Sequence, residues 1–368
     1  MKHIIVFSLL VSGLLVSGCA TSQDFDARVN KIVEPHTFSI ADWEFTTILQ
    51  EIEQWLSSHE EVSEGGTKIV TEYFDSSERE PAIASAVEEI IKKQIRDTLN
   101  QQGIFNPLTE GEFNFPPVNF RLEGLPHLLV ISPRDRIEST REISLKQTLN
   151  VLQKETIETG VDELRVSSLV VNIGGIATYP ALVDKGASLR FTIDTITEEW
   201  LHHYLSFTPL GFRYLLDVSG LSRDYEIATM NESLAGMVSK EIGDLVYHEY
   251  YAGYEKEIEP GSESEFDFNI EMREVRKTVD VYLARGEIEQ AEELMEQKRQ
   301  YLVSNGHFIR KLNQAYFAFY GTYAHTPAFI SPIGLELKEL RTRSDSLKEF
   351  LNTVSAMTNR QELSDSVR

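Results

Sequence analysis

Apolar positions along the chain fall into three textures. Ile4 to Val16 is a mostly apolar run, preceded by Lys2 and followed by the small residues Ser17 and Gly18. Helical spacing comes next: Trp43, Ile48, Ile52, Trp55 and Leu56, then a stretch opened by Pro81 and carrying Ile83, Val87, Ile90, Ile91 and Ile95. Gly103 follows where a C-terminal cap belongs, so the spacing predicts helices over 41–102. From Asn106 the texture is β-like. Val118–Leu122 alternates, Leu128–Ile131 is short and apolar as in a strand buried on both faces, and Leu189–Ile193 reads as a further strand. Ser168–Val183 reads as a long strand or hairpin whose Gly174-Gly175 pair permits a bulge or a close backbone approach. Ser144-Leu145-Lys146-Gln147 fits a capping box opening a helix to about Thr159.

Helical spacing returns from Thr229 towards Tyr250, and again in a charged hairpin, Phe266–Leu283 and Glu287–Leu302, turning at Arg285-Gly286. An aromatic stretch from Phe308 to Tyr323 and a helix from Ser346 to Met357 complete the chain. The pattern predicts an α+β fold: N-terminal helices over 41–105, a small mixed sheet with an edge strand within 106–250, and a helical C-terminal third over 251–368.

Composition narrows the function classes. The 368 residues are 41% hydrophobic and 25% charged, a globular balance, and the length suits one large domain or two medium ones. With 58 acidic against 35 basic side chains the net charge is −23, which argues against a nucleic-acid partner. One cysteine excludes an intramolecular disulfide framework and any multi-cysteine metal site.

That cysteine ends the first segment. Residues 1–18 have the three-part build of a secretory signal, and the apolar run is too short to be a convincing membrane span. An ordinary signal peptide with an incidental cysteine is one reading. Val16-Ser17-Gly18-Cys19, however, resembles the lipobox of bacterial lipoproteins. The resemblance implies cleavage before Cys19, acylation there by chains such as palmitate, and residues 19–40 as lipid anchor and polar tether. Ala20 stands where Asp is the usual inner-membrane retention residue. This implies an extracytoplasmic chain on the bacterial cell envelope, at the outer membrane or cell surface.

The candidate chemistry lies in Thr197-Glu198-Glu199-Trp200-Leu201-His202-His203-Tyr204-Leu205. On a helix Glu198 sits beside His202 and Glu199 beside His203. Thirty residues after His202 comes Asn231-Glu232-Ser233-Leu234-Ala235, where small residues at 235 and 236 would let one helix approach another closely. The bland reading is an amphipathic helix with a solvated polar face. Glu199-x-x-His202 is also half of a di-iron motif, but no second Glu-x-x-His occurs.

Taken together these residues resemble the gluzincin type of zinc metallopeptidase, with His-Glu-x-x-His on one helix and a ligand glutamate in Asn-Glu-x-x-Ala/Asp on the next. Leu312-Asn313-Gln314-Ala315-Tyr316 is more loosely similar to predicted bacterial aminopeptidase-type proteins. The resemblance implies His202 and Glu232 as metal ligands, Glu199 as general base, and Ile173–Val183 as an edge strand receiving extended peptide. Asn231 would support the ligands from behind, and His203 would either do the same or act on the transition state. Tyr316, Tyr320 and Tyr323 recur at helical spacing, for which core packing is the default; Tyr320 and Tyr323 are candidates to stabilise an oxyanion, with Arg310 and His325 as further ones. Glu198 stands where the pattern has histidine; as a ligand it makes an oxygen-rich set, so the divalent metal is zinc, or manganese or iron(II). The implied function is a lipid-anchored metal-dependent hydrolase acting on peptide or protein, aminopeptidase-like. The alternative is an inactive peptidase-fold lipoprotein that binds an envelope partner. An envelope protein with no site would leave the two helices facing apart.

Overall fold

A computed structural model describes residues 20–38, 66–109, 111–219, 221–254, 267–321 and 331–368. Cys19, the helical pattern from Trp43 to Leu56, and Tyr323 and His325 lie outside the described residues. Among those described, thirteen α-helices surround two three-stranded sheets, a mixed helix-and-sheet architecture. The sequence pattern predicts one sheet; there are two because its long 168–183 run is divided among three strands.

In the first sheet β2 (His127–Pro133) is central, with β3 (Arg141–Leu145) and β4 (Val166–Asn172) antiparallel on either side. One face is covered by α1 (Ala20–Val33) and α4 (Val151–Asp162), which bury Val29, Val33, Ile157 and Val161 against Leu129, Ile131, Leu145 and Val170. This corrects the tether expected over 19–40. Phe25, Val29, Ile32 and Val33 form an apolar stripe at helical spacing, and a helix with such a stripe docks rather than staying in solvent. The Ser144 capping box is also corrected, because Ser144 and Leu145 end β3. The helix is opened by Asn150, whose side chain accepts from Gln153 N while Gln153 answers the Asn150 N–H.

The second sheet pairs β1 (Phe120–Glu123) parallel to β6 (Ala181–Asp184), with the two-residue β5 (Gly175–Ile176) antiparallel on its outer side. It belongs to the largest core, built with α2 (Gly66–Asp75), α3 (Pro81–Gln101), α5 (Leu189–Leu205), α6 (Pro209–Val218) and α7 (Tyr225–Tyr251). The helices α8 (Phe268–Ala284) and α9 (Ile288–Ser304) form the expected hairpin, with Gly286 at φ +73° in its turn. Arg134 ties the hairpin to the first sheet through a forked pair with Glu292 at 2.6 and 2.7 Å. Helix α10 (Gln314–Tyr320) lies on β2 and β4, and α11 (Ile333–Arg343), α12 (Leu347–Ser355) and α13 (Arg360–Ser366) close the large core. No described helix is long and apolar enough to cross a membrane.

Docking of α1 makes a direct prediction. Val29→Asp places an unpaired charge in the fully buried site of Val29 and should cost about 3–5 kcal/mol in urea unfolding. A free tether at that position would give no change.

Candidate metal centre

The site is built on α5 and α7. Leu189–Ile193, expected as a strand, is the first turn of α5, because Ser188 caps it by accepting from Phe191 N at 3.3 Å. Asp194 lies 3.4 Å from Arg190 on its own helix and 3.7 Å from Lys240 across the helix pair. Helix α7 starts at Tyr225, earlier than Thr229, because Asp224 accepts from Ile227 N at 3.2 Å. A Cβ on Gly243 would overlap Asp194 Oδ1, so the glycine lets the two helices close at that point. Ile193, Ile196, Leu201, Leu234, Val238 and Ile242 are buried in the same core.

This packing brings Glu198, His202 and Glu232 together, each offering a ligand atom within 4.8 Å of the others. His202 Nε2 lies 3.6 Å from Glu232 Oε2, and the two side chains are 16% and 11% exposed, a nearly enclosed pair. The other ring nitrogen, Nδ1, meets Asn231 Oδ1 at 3.2 Å. A carboxamide oxygen only accepts, so the proton belongs on Nδ1 and the Nε2 lone pair faces the carboxylates. Glu198 Oε1 is buried with no hydrogen-bond partner among the described residues. An anionic oxygen left bare beside an imidazole lone pair and a second carboxylate is a donor set that fits a divalent cation.

Glu199 stands next to this triad, against the outer strand of the second sheet. A Cβ on Gly175 would run into Glu199 Oε1 and Thr195 Cγ2, so the glycine allows β5 to lie directly on the carboxylate. His203 holds the same strand, its Nε2 meeting Ala177 O at 3.0 Å and its ring edge-on to Tyr179.

The electrostatics follow from crowding acids in a poorly solvated space. Burial pushes Glu198 up to about 7, with Glu232 and Asp194 adding to it. Burial, with Glu198 and Glu232, pushes Glu199 up to about 8. For His202 burial acts downward, but Glu232, Glu199 and Glu198 outweigh it and raise the imidazole. Burial takes His203 down to about 4, so it is neutral and serves as a hydrogen-bond donor.

Outside these residues the placements differ. Tyr320 lies with Tyr316 and Phe319 in the apolar layer on β2 and β4, which also includes Ile173 just before the Gly174-Gly175 pair. Arg310 forms a forked pair with the buried Glu158, at 2.5 and 2.7 Å, beneath the edge of β4. The residue that sequence reasoning missed is Tyr214 on α6. Its hydroxyl donates to Glu232 Oε1 at 2.6 Å and its ring stacks on His202. No motif spacing marks it, since only the fold-back of α6 brings it to the site.

No protein-family model, curated protein or solved structure matches this chain. The chemistry of the site therefore rests on its own geometry.

Glu198, Glu199 and His202 all have folded pKa values above their unfolded ones. The stability they contribute is present at low pH and lost as pH rises through about 7 to 8 for the two acids. In chelator the melting temperature should fall from pH 6 to pH 9, and a Glu198→Gln/Glu199→Gln variant should show a shallower decline.

Proposed function

We propose that the chain is a metal-dependent hydrolase of peptide bonds, held at the bacterial envelope by a lipid on Cys19. The observation carrying this reading is the convergence of Glu198, His202 and Glu232 from two helices, with Glu199 on the adjacent position and the edge of β5 against it. The arrangement accords with the gluzincin resemblance, and it disfavours a site-free scaffold with helices facing apart. Zinc is the expected ion. A set with two carboxylates and one imidazole also suits manganese or iron(II).

Bound there, the ion would supply a Lewis acid that polarises the scissile carbonyl and acidifies water. The remaining steps belong to the chain. Extended peptide lies along β5, where Gly175 brings backbone close to the base and His203 fixes the strand through Ala177. Glu199 accepts the proton of the attacking water and delivers it to the leaving amine. Its carboxylate, held up near 8 by burial and by its acidic neighbours, would be lowered when a cation offsets those charges. His202 must be neutral to ligate, so metal binding should release protons and tighten as pH rises.

Elemental analysis of the purified protein should find about one divalent ion per chain. Glu199→Gln should keep the ion while lowering kcat/KM on peptide substrates by about 10²–10⁴-fold. His202→Ala and Glu232→Ala should lose the ion. A folded protein with no metal, indifferent to both substitutions, would refute the reading. The alternative, a peptide-binding relative without activity, is favoured by Glu in place of His at 198; it predicts that Glu199→Gln changes nothing in turnover because there is none. Radiolabelled palmitate should enter the wild-type chain and not Cys19→Ser; label retained in that variant would overturn the anchor.

A further inference from the structure

We propose that Tyr214 is a positioning residue that restricts Glu232 to a single ligating oxygen and fixes His202 beside it; this rests on the metal reading above. The two oxygens of Glu232 have different neighbours. Oε1 accepts from the Tyr214 hydroxyl at 2.6 Å, and Oε2 lies 3.6 Å from His202 Nε2. With one oxygen engaged by a strong, short hydrogen bond, one oxygen remains to ligate. The same phenol ring lies nearly parallel to the imidazole, with centroids 6.2 Å apart and planes at 24°. One side chain thus restrains both candidate ligands on two different helices.

The restraint matters because the terminal torsion of a glutamate is broad, and a carboxylate left to itself turns between one- and two-oxygen binding. The adjacent Ser233 hydroxyl, buried without a hydrogen-bond partner, does not supply it. Asn231 is directed to His202. Tyr214 reaches the site because Thr208 caps α6, accepting from Gly211 N at 3.3 Å, and because Gly211 has no Cβ to overlap the Leu205 carbonyl. The helix therefore folds back on the end of α5 and presents Tyr214 one turn later. Three single-atom donors would leave an ion held there a further position for water or substrate, as a reactive centre needs and a closed structural one does not.

The test uses the full chain, wild type and Tyr214→Phe, titrated with Zn²⁺ and Co²⁺ against a chromophoric chelator. Tyr214→Phe keeps the ring and removes only the hydroxyl. It should weaken metal binding about 10–100-fold, alter the visible absorption of bound Co²⁺ as Glu232 Oε1 becomes available, and lower the stability of the metal-free protein by no more than the one hydrogen bond it removes. The hydroxyl should have no further effect in a Glu232→Gln background. Equal affinity and an unchanged Co²⁺ spectrum would overturn the inference while leaving the metal reading intact. A loss of affinity with an unchanged Co²⁺ spectrum would make Tyr214 a packing residue and overturn it as well. Wild-type protein that binds neither ion would overturn both.

Discussion

The contact between α5 and α7 sets the rest of the site, because it decides which polar groups share a space that water barely enters. Ile193, Ile196 and Leu201 share a core with Leu234, Val238 and Ile242, and Gly243 leaves room for Asp194 at the crossing. Once those apolar faces are in place, Glu198, His202 and Glu232 have no independent freedom to separate. The hydrophobic stripe that stabilises the helix pair thereby enforces an electrostatically unfavourable cluster. Such a cluster is retained only where something compensates it, such as protons at low pH or a cation at higher pH.

A second constraint works from the sheet side. Glycine at 175 removes the side chain that would hold β5 away from Glu199, and neutral His203 ties the strand to the same helix through Ala177. The outer strand and the acid cluster are therefore parts of one rigid arrangement. Both are referred to α5, one through backbone approach and one through side chains.

The parts legible in the sequence were those encoded by local spacing. Pro81 and Gly103 bracket a helix of the expected extent, and Gly286 turns the α8–α9 hairpin, because caps and turns are decided within a few residues. The pairing of Glu198 with His202 was likewise open to a spacing argument, since one turn of helix fixes 198 against 202, whereas Glu232 was reached only through the motif resemblance. The misreadings came where two local readings compete. Leu189–Ile193 is β-like in composition, yet Ser188 at the helix start and the long helix that follows prevail. Ser144 resembles a cap but is paired in a strand with Leu128, and Asn150 takes the cap six residues later. Residues 20–33 look polar in aggregate, while four apolar positions at helical spacing are enough to dock them. Tyr214 had no local signature at all, because its contact with Glu232 is created by the path of α6.

The glutamate at 198 has consequences that the geometry makes specific. With neutral His202, the triad carries two formal negative charges from Glu198 and Glu232, so a divalent ion brings the set to zero. A histidine at 198 would leave the same ion with a net positive charge. Under the proposed reading, an ion held by this oxygen-rich set would be a weaker Lewis acid that acidifies water less and leaves more of the proton removal to Glu199. In the metal-free protein burial and like charges hold that carboxylate at about 8, and a cation bound beside it would lower that value. Under the proposed reading Glu198 lowers the charge on the ion and Glu199 takes the proton, so Glu198 is compatible with a working centre even though it departs from the histidine of the gluzincin pattern.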